Sequence, residues 1–122
     1  MLAQLAQAVR ERRVAAVELV NESIARIERL NPALNAVTAL WPEEAVGDAR
    51  ALYERGVECP LAGLPLLVKD ITDVVGKVTN FGSRTMLDRP AAERSEITVE
   101  RMVAAGAIVL GRTNTPEFAF QG

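Results

Sequence analysis

The sequence predicts an α/β protein, because short apolar runs typical of buried strands alternate with stretches of helical periodicity. The two clearest runs are Leu64–Val68 and Ala107–Leu110, both continuous and apolar. A run of this length fits a strand covered on both faces, whereas a half-exposed strand would alternate apolar and polar residues. Helical stretches surround both runs, so we expect helices layered on a sheet.

The amino-terminal region, about residues 1–31, is predicted to be helical, and an α/β region is predicted over about residues 36–122. Apolar residues at helical spacing mark a short first helix and a second helix that ends before Asn31-Pro32. These residues are Leu2, Leu5 and Val9 in the first helix, and Val17, Val20, Ile24 and Ile27 in the second.

A strand and a third helix are predicted next. The strand covers Val37–Leu40. The helix has Pro42 in its first turn, with Glu43 and Glu44 at the positive end of the helix dipole. Gly56 marks the far end of this helix, so the helix should occupy the residues between Pro42 and Gly56.

The segment after Leu64–Val68 is expected to be extended or hairpin-like over residues 71–78 and to lead to a fourth helix. Ser95 is the predicted cap of that helix and Gly106 its end. Its inward face is predicted to carry Val99, Met102 and Val103.

The last segment is expected to leave its strand and begin a helix, with Thr115 as cap, Pro116 in the first turn and Glu117 against the dipole. Because this turn follows the carboxyl end of a strand, Phe118 and Phe120 are candidates for the wall of a substrate pocket. Aromatic residues packed in the core are the alternative.

Lys69 stands at the carboxyl end of the first apolar run, in a chain that has two lysines against twelve arginines. A lysine differs from an arginine because its ammonium can lose a proton at moderate cost when water is removed. Ligands bind at the carboxyl ends of strands in open α/β sheets. On spacing alone, a salt-bridged lysine with Asp70 and Asp73 as partners is the competing interpretation.

Five segments occur in an order and spacing that can be compared with known enzymes: residues 63–70 (GLPLLVKD), 75–76 (VG), Thr79, 82–83 (GS) and 104–119 (AAGAIVLGRTNTPEFA). Together they resemble the amidase signature family, and a weaker likeness extends upstream through residues 31–36 (NPALNA). The resemblance implies a mixed sheet flanked by helices. It also implies an enzyme that cleaves carboxamide bonds with a Ser, cis-Ser, Lys triad.

By motif position, Lys69 matches the triad lysine, which takes a proton through the bridging serine. Burial in an apolar site disfavours the charged ammonium, so a lysine there can act as a base. The two triad serines are expected further along the family's sequence, and none of Ser23, Ser83 and Ser95 matches them. We therefore expect residues 1–122 to be an amino-terminal, incomplete fragment of a single amidase domain, inactive alone.

Other chemistries find little support in the sequence. There is no histidine and a single cysteine, Cys59, so histidine relays and the usual zinc sites are not predicted. The glycines form neither a phosphate loop nor a dinucleotide fingerprint, and no cofactor or metal is expected. A formal net charge of -2 gives little attraction to nucleic acid.

Composition predicts a cytoplasmic globular chain, with 49% hydrophobic and 25% charged residues. The uncharged apolar stretches are shorter than the roughly 18 residues that a membrane helix needs, so no membrane contact is predicted. The start of the chain carries neither a basic region nor an apolar region of a signal peptide.

Three functions remain open from the sequence. The first is a hydrolase acting on a small amide, and the second is the amidotransferase subunit that acts on misacylated tRNA. The third is a non-catalytic binding or structural module. The predicted elements are too few to pair every strand edge and to cover both faces of the sheet. We therefore also expect either self-association or a missing carboxyl-terminal part that covers the strands.

Overall fold

A computed structural model describes residues 1–120, and helices and strands alternate along them as an α/β fold. The elements are α1 Leu2–Arg10, α2 Ala16–Leu34, β1 Val37–Leu40, α3 Pro42–Arg55, β2 Pro65–Lys69, α4 Ile97–Ala104 and β3 Ile108–Thr113. Two single turns of 3-10 helix, Arg84–Met86 and Glu117–Ala119, lie in the loops. None of the helices within residues 1–120 is long and apolar enough to cross a membrane.

The three strands form one mixed sheet in the order β1-β3-β2. The central strand β3 pairs antiparallel with β1 and parallel with β2. Lys69 at the end of β2 lies opposite Thr113 at the end of β3. Because these parallel strands end together, the loops that follow them leave the sheet at the same edge.

The sheet separates two apolar cores. Alternation along the strands sends Leu67, Ile108 and Leu110 to the core under α1, α2 and α3. It sends Val68 and Val109 to a smaller core on the opposite face, with Val74, Val99 and Trp41. The sheet is therefore covered thickly on one face and thinly on the other.

Helix α2 runs to Leu34, beyond the predicted end before Asn31-Pro32. Pro32 lies in the last turn of α2, where its lack of a backbone N–H removes a single hydrogen bond of the helix. The end of the helix is held instead by Asn31, whose side chain binds the backbone of Ala36 and Val37 at 2.8–2.9 Å. Asn35, with φ +49°, then turns the chain into β1.

The predicted strand boundaries also shift. Strand β3 extends past Leu110 to Thr113, because β1 pairs with its last three residues. The charged side chain of Arg112 can be buried in this strand because other buried groups bind it. Strand β2 is only half-buried at Pro65, Leu66 and Leu67, so the expected cover on both faces is wrong for residues 1–120. Its position at the edge of the sheet is the reason.

Residues 71–78 form turns and not the expected extended or hairpin segment. Their amides bond to another loop, with Val75 donating to Ser95 Oγ at 2.9 Å and Gly76 to the Ala92 carbonyl at 2.8 Å. The Ser95 hydroxyl is thereby engaged by the Val75 amide, and Glu96 is the cap residue of α4. The predicted cap at Ser95 is wrong for this reason.

Two further side-chain predictions are wrong. Met102 is 43% exposed, whereas Val99 is buried, because α4 lies on the sheet through one narrow face only. Thr115 does not cap the final turn, which Pro116 precedes. The Thr115 hydroxyl is buried and makes no hydrogen bond within the described residues.

Strands β1 and β3 approach each other closely at Gly111, since a Cβ atom there would overlap the carbonyl oxygen of Ala39. We expect Gly111→Ala to lower the free energy of unfolding by at least about 2 kcal/mol, because β1 would have to move away from β3. Chemical denaturation measures this change.

Gly47 provides the matched control, because nothing lies within 4 Å of a Cβ there and the residue is inside α3. Gly47→Ala should stabilise the protein by roughly 0.5–1 kcal/mol, since alanine favours helix over glycine. Equal effects from the two substitutions would contradict the close approach at Gly111.

Candidate active site

Lys69 is the last residue of β2, and its side chain is exposed within residues 1–120. Its carbonyl oxygen accepts from the amides of Ile71 at 2.8 Å and Thr72 at 3.1 Å, which forms a tight turn. The amide of Asp70 donates to the Thr113 carbonyl at 3.2 Å and extends the β2–β3 ladder by one bond. The backbone around Lys69 is thus held by hydrogen bonds, while its side chain is exposed within residues 1–120.

A buried ion pair lies directly beside Lys69. Asp70 and Arg112 are 2% and 3% exposed, and Arg112 Nη1 lies 3.4 Å from Asp70 Oδ1. The same nitrogen donates to the Thr72 carbonyl at 2.9 Å. Arg112 therefore ties the start of the loop after β2 to the central strand.

The hydroxyl of Thr79 extends this network. It accepts from Arg112 Nη2 at 3.0 Å and donates to Asp73 Oδ1 at 2.6 Å. Asp70 Oδ1 also accepts the amide of Asn80 at 3.1 Å. Both ends of the loop between residues 70 and 80 are consequently anchored at the carboxyl edge of the sheet.

The electrostatic balance of the network depends on two carboxylates. Burial lowers the pKa of the Arg112 guanidinium, because removal from water disfavours its charged form, and the charges of Asp70 and then Asp73 oppose this change. The Trp41 ring lies beneath the guanidinium, at 5.8 Å from its central carbon. Arg112 is a structural cation whose charge is balanced locally.

The loops that follow β2 and β3 meet through two phenylalanines. Phe81 and Phe118 stack with ring centroids 6.1 Å apart and an angle of 22° between the planes. Arg89 lies over Phe81, with 5.0 Å between its guanidinium carbon and the ring centroid. Phe118 keeps 42% of its surface exposed, so the stack forms an aromatic wall at the edge where Lys69 lies.

The predicted pocket residues differ in their packing. Phe118 belongs to this wall, whereas Phe120 is 87% exposed. Neither packs in the apolar cores described above. Sequence reasoning missed Phe81, although the pairing of an aromatic residue with Gly82 in a loop is a usable signal.

The three serines occupy unrelated positions. Ser23 lies within α2, Ser95 binds the Val75 amide, and Ser83 is 3% exposed and donates to Glu117 Oε1 at 2.6 Å.

Sequence reasoning also missed Arg112 as a buried group. A charged residue that continues the apolar run of β3 was the available signal.

Lys77, the other lysine, lies in a different environment. It forms an ion pair with Glu44 and lies over the Trp41 ring at 4.7 Å. Lys77, Glu44 and Trp41 line a cleft of about 500 Å³ between α3 and α4. Within residues 1–120, no group of three or more acidic, cysteine or histidine side chains could hold a metal ion.

Known proteins similar to this chain include amidases and amidotransferase subunits. The family model named Amidase matches residues 18–122. A glutamyl-tRNA(Gln) amidotransferase subunit of Methylococcus capsulatus is 46% identical over 121 residues, which are 97% of this chain and 25% of that protein. An acylamidase of Rhodococcus erythropolis is 34% identical over 123 residues, which are 98% of this chain and 26% of that protein.

A solved structure agrees with these relatives. The crystal structure of a bacterial aryl acylamidase of the amidase signature family matches with a TM-score of 0.88 and 29% identity, over 99% of this chain and 26% of that one. The fold and its relatives define a class of enzymes that act on carbon–nitrogen bonds. The chain belongs to the amidase family, which confirms the resemblance to amidase signature enzymes. It spans about a quarter of the length of the curated relatives it matches.

Proposed function

We propose that this chain is the amino-terminal part of a single amidase domain that hydrolyses a small carboxamide, with Lys69 as the base of a Ser, cis-Ser, Lys triad. The observation that carries the proposal is the position of Lys69, which ends β2 at the carboxyl edge of the sheet with a fixed backbone and an open side chain. Membership of the amidase family supports the reaction class.

Each proton transfer in the proposed mechanism has a definite route. The neutral amine of Lys69 accepts a proton from the bridging serine, which accepts the proton of the attacking serine. The attacking oxygen bonds to the amide carbon, and the proton returns to the leaving nitrogen when the carbon–nitrogen bond breaks, which leaves an ester on the serine. A water molecule then attacks the ester carbon and gives up its proton by the same route, so that the carboxylic acid leaves and the serine regains its proton. Covering Lys69 with the serine-bearing segment would remove water and favour the neutral amine.

Phe118 and Phe120 are proposed to contact the apolar part of the substrate. Phe118 belongs to the aromatic wall next to the loop that begins at Asp70, and Phe120 offers an exposed ring two residues further on. Aromatic rings bind flat or apolar groups through large contact areas. The ligand in this proposal is a small amide with an apolar substituent.

The activity test compares two proteins, one translated from the complete reading frame and one limited to residues 1–122. We expect the shorter protein to hydrolyse no amide measurably, because a base without its nucleophile and oxyanion donors loses most of the rate enhancement. The longer protein should cleave members of a panel of small amides and anilides. Turnover by residues 1–122 that disappears in Lys69→Met would contradict the incomplete triad.

A second candidate function is that of an amidotransferase subunit that acts on misacylated tRNA. It is favoured by the 46% identity to a glutamyl-tRNA(Gln) amidotransferase subunit. Release of ammonia from glutamine, coupled to amide formation on Glu-tRNA(Gln) in the presence of the other subunits, would distinguish it from a general amidase. A cytoplasmic location belongs to either proposal.

The remaining alternative, a non-catalytic module, is tested by association. Within residues 1–120, β2 pairs on one side only, and its apolar residues are half-buried. An open edge of this kind pairs with other strands, so residues 1–122 should self-associate. Light scattering across a dilution series measures this, and a strictly monomeric, cooperatively unfolding chain would favour the module.

A further inference from the structure

The loops after β2 and β3 are joined by a hydrogen bond that the triad does not use. Ser83 Oγ lies 2.6 Å from Glu117 Oε1, and Ser83 is 3% exposed. A second bond runs from the Phe118 amide to the Phe81 carbonyl at 2.7 Å. We call the Ser83–Glu117 hydrogen bond together with this backbone bond the loop clamp.

The direction of the Ser83 bond follows from counting protons. The Glu117 carboxylate only accepts, so the single hydroxyl proton of Ser83 is donated to it. Ser83 Oγ then accepts from Thr85, whose hydroxyl lies at 2.8 Å and whose amide lies at 3.4 Å. The Ser83 hydroxyl is thus fully engaged and oriented by its neighbours.

The clamp holds backbone that would not adopt its conformation freely. Phe81, Phe118 and Ala119 have φ values of +55°, +50° and +57°. Left-handed backbone is a genuine outlier for bulky side chains and persists where the surroundings impose it. Gly82 lies so close to the other loop that a Cβ there would be 2.5 Å from the Thr115 carbonyl.

The clamped loops are connected to the position of Lys69. Asn80, which precedes Phe81, donates its amide to Asp70, the residue that follows Lys69. Asp70 in turn donates its amide to Thr113 at the end of β3. The aromatic wall is therefore fixed to the strand ends through a short series of hydrogen bonds.

We propose that Ser83 and Glu117 are positioning residues, whose hydrogen bond sets the place of the Phe81–Phe118 wall and thereby the preference for amides that carry an aromatic or bulky apolar group. The inference rests on the proposed function, because it places the wall beside the reacting amide. Phe81 contacts both Arg89 and Phe118 and is half-buried, whereas Phe118 is 42% exposed, so Phe118 is the ring of the stack that a substrate can contact.

The test uses the protein translated from its complete reading frame, with Ser83→Ala, Glu117→Ala and Glu117→Gln. Glu117→Gln keeps an oxygen that can accept the Ser83 proton, so it should behave like the parent protein. Ser95→Ala is the matched control, since that hydroxyl also holds a loop, at 2.9 Å from the Val75 amide, but not the clamp.

The first measurement is hydrogen exchange at the Phe118 amide. Ser83→Ala and Glu117→Ala should speed its exchange by about tenfold, as expected when a buried hydrogen bond is lost and the loop opens locally. Exchange within β1 should stay unchanged. This readout needs no catalytic activity.

The second measurement is the kinetics with an anilide and with a small aliphatic amide. Ser83→Ala and Glu117→Ala should raise KM for the anilide about tenfold and leave kcat for the small amide within about twofold. Glu117→Gln should restore the anilide KM, and Ser95→Ala should not change the ratio between substrates. A merely structural role would lower kcat/KM for both substrates alike.

The outcomes separate the two proposals. Unchanged exchange at Phe118 in Ser83→Ala overturns the clamp, whatever the activity. Faster exchange with equal losses for both substrates overturns its role in substrate preference. If no amide is cleaved by the parent protein, the proposed function fails and the selectivity role fails with it, while the exchange data still decide whether the clamp holds the wall.

Discussion

Lys69→Arg is expected to abolish amide cleavage in the protein translated from the complete reading frame, as completely as Lys69→Ala. The guanidinium stays protonated at all working pH values, so it cannot accept a proton from the proposed bridging serine. General-base catalysis contributes about 10²–10⁴-fold, so the rate constant for cleavage should fall by a factor in that range. Single-turnover or steady-state kinetics on the preferred amide measure this loss.

Lys77 offers the matched control for that substitution. It is the chain's other lysine, and its contacts are an ion pair with Glu44 and the Trp41 ring. Arginine preserves both kinds of contact, so Lys77→Arg should keep the parent activity. Substantial turnover by Lys69→Arg would mean that Lys69 acts through its charge alone, and the proposed triad would have to be abandoned.

Arg112→Met is expected to cause the largest loss of stability, lowering the free energy of unfolding by about 3–5 kcal/mol. The substitution leaves Asp70, which is 2% exposed, without its cationic partner. It also removes the donors to the Thr72 carbonyl and the Thr79 hydroxyl. Urea denaturation followed by circular dichroism measures the change.

Arg94→Met is the corresponding control on the surface. Arg94 pairs with Glu100 at 3.1 Å, but the two side chains are 78% and 42% exposed. Solvent weakens such pairs, so the loss should stay within about 1 kcal/mol. If Arg112→Met costs no more than Arg94→Met, the buried network is not a source of stability.

A double variant separates the lost pair from the charge left behind. Asp70→Asn removes the charge that Arg112→Met leaves unpaired, so the combined variant should be less destabilised than the sum of the single variants. We expect a coupling free energy of about 1–3 kcal/mol. Strict additivity would show that Asp70 and Arg112 do not act as a pair.

Local patterns in the sequence are sufficient for most helices and strands. Helical spacing locates α1, the end signals at Pro42 and Gly56 locate α3, and continuous apolar runs locate β2 and β3 to within three residues. Lys69 is placed at the end of its strand because the run that precedes it is short and ends at a polar residue. Motifs in the sequence identify the family, and the family match confirms it.

Some local predictions fail because distant groups compete for the same atoms. Ser95 is predicted to cap α4, but its hydroxyl binds Val75, twenty residues away. Pro32 is predicted to end α2, but the side chain of Asn31 holds the last turn against β1. A capping or helix-breaking signal states a preference of about 1 to 3 kcal/mol, which one or two tertiary hydrogen bonds can outweigh.

Residue periodicity and motifs that are contiguous in the chain are sufficient to predict the α/β class, the family and the place of Lys69. The groups that surround this lysine depend on contacts between residues that are distant in the sequence. Asp70 meets Arg112 and Ser83 meets Glu117 across separations of 42 and 34 residues. Such pairs form when parallel strands end together and bring their following loops to one edge, a consequence of the sheet's register that no local pattern contains.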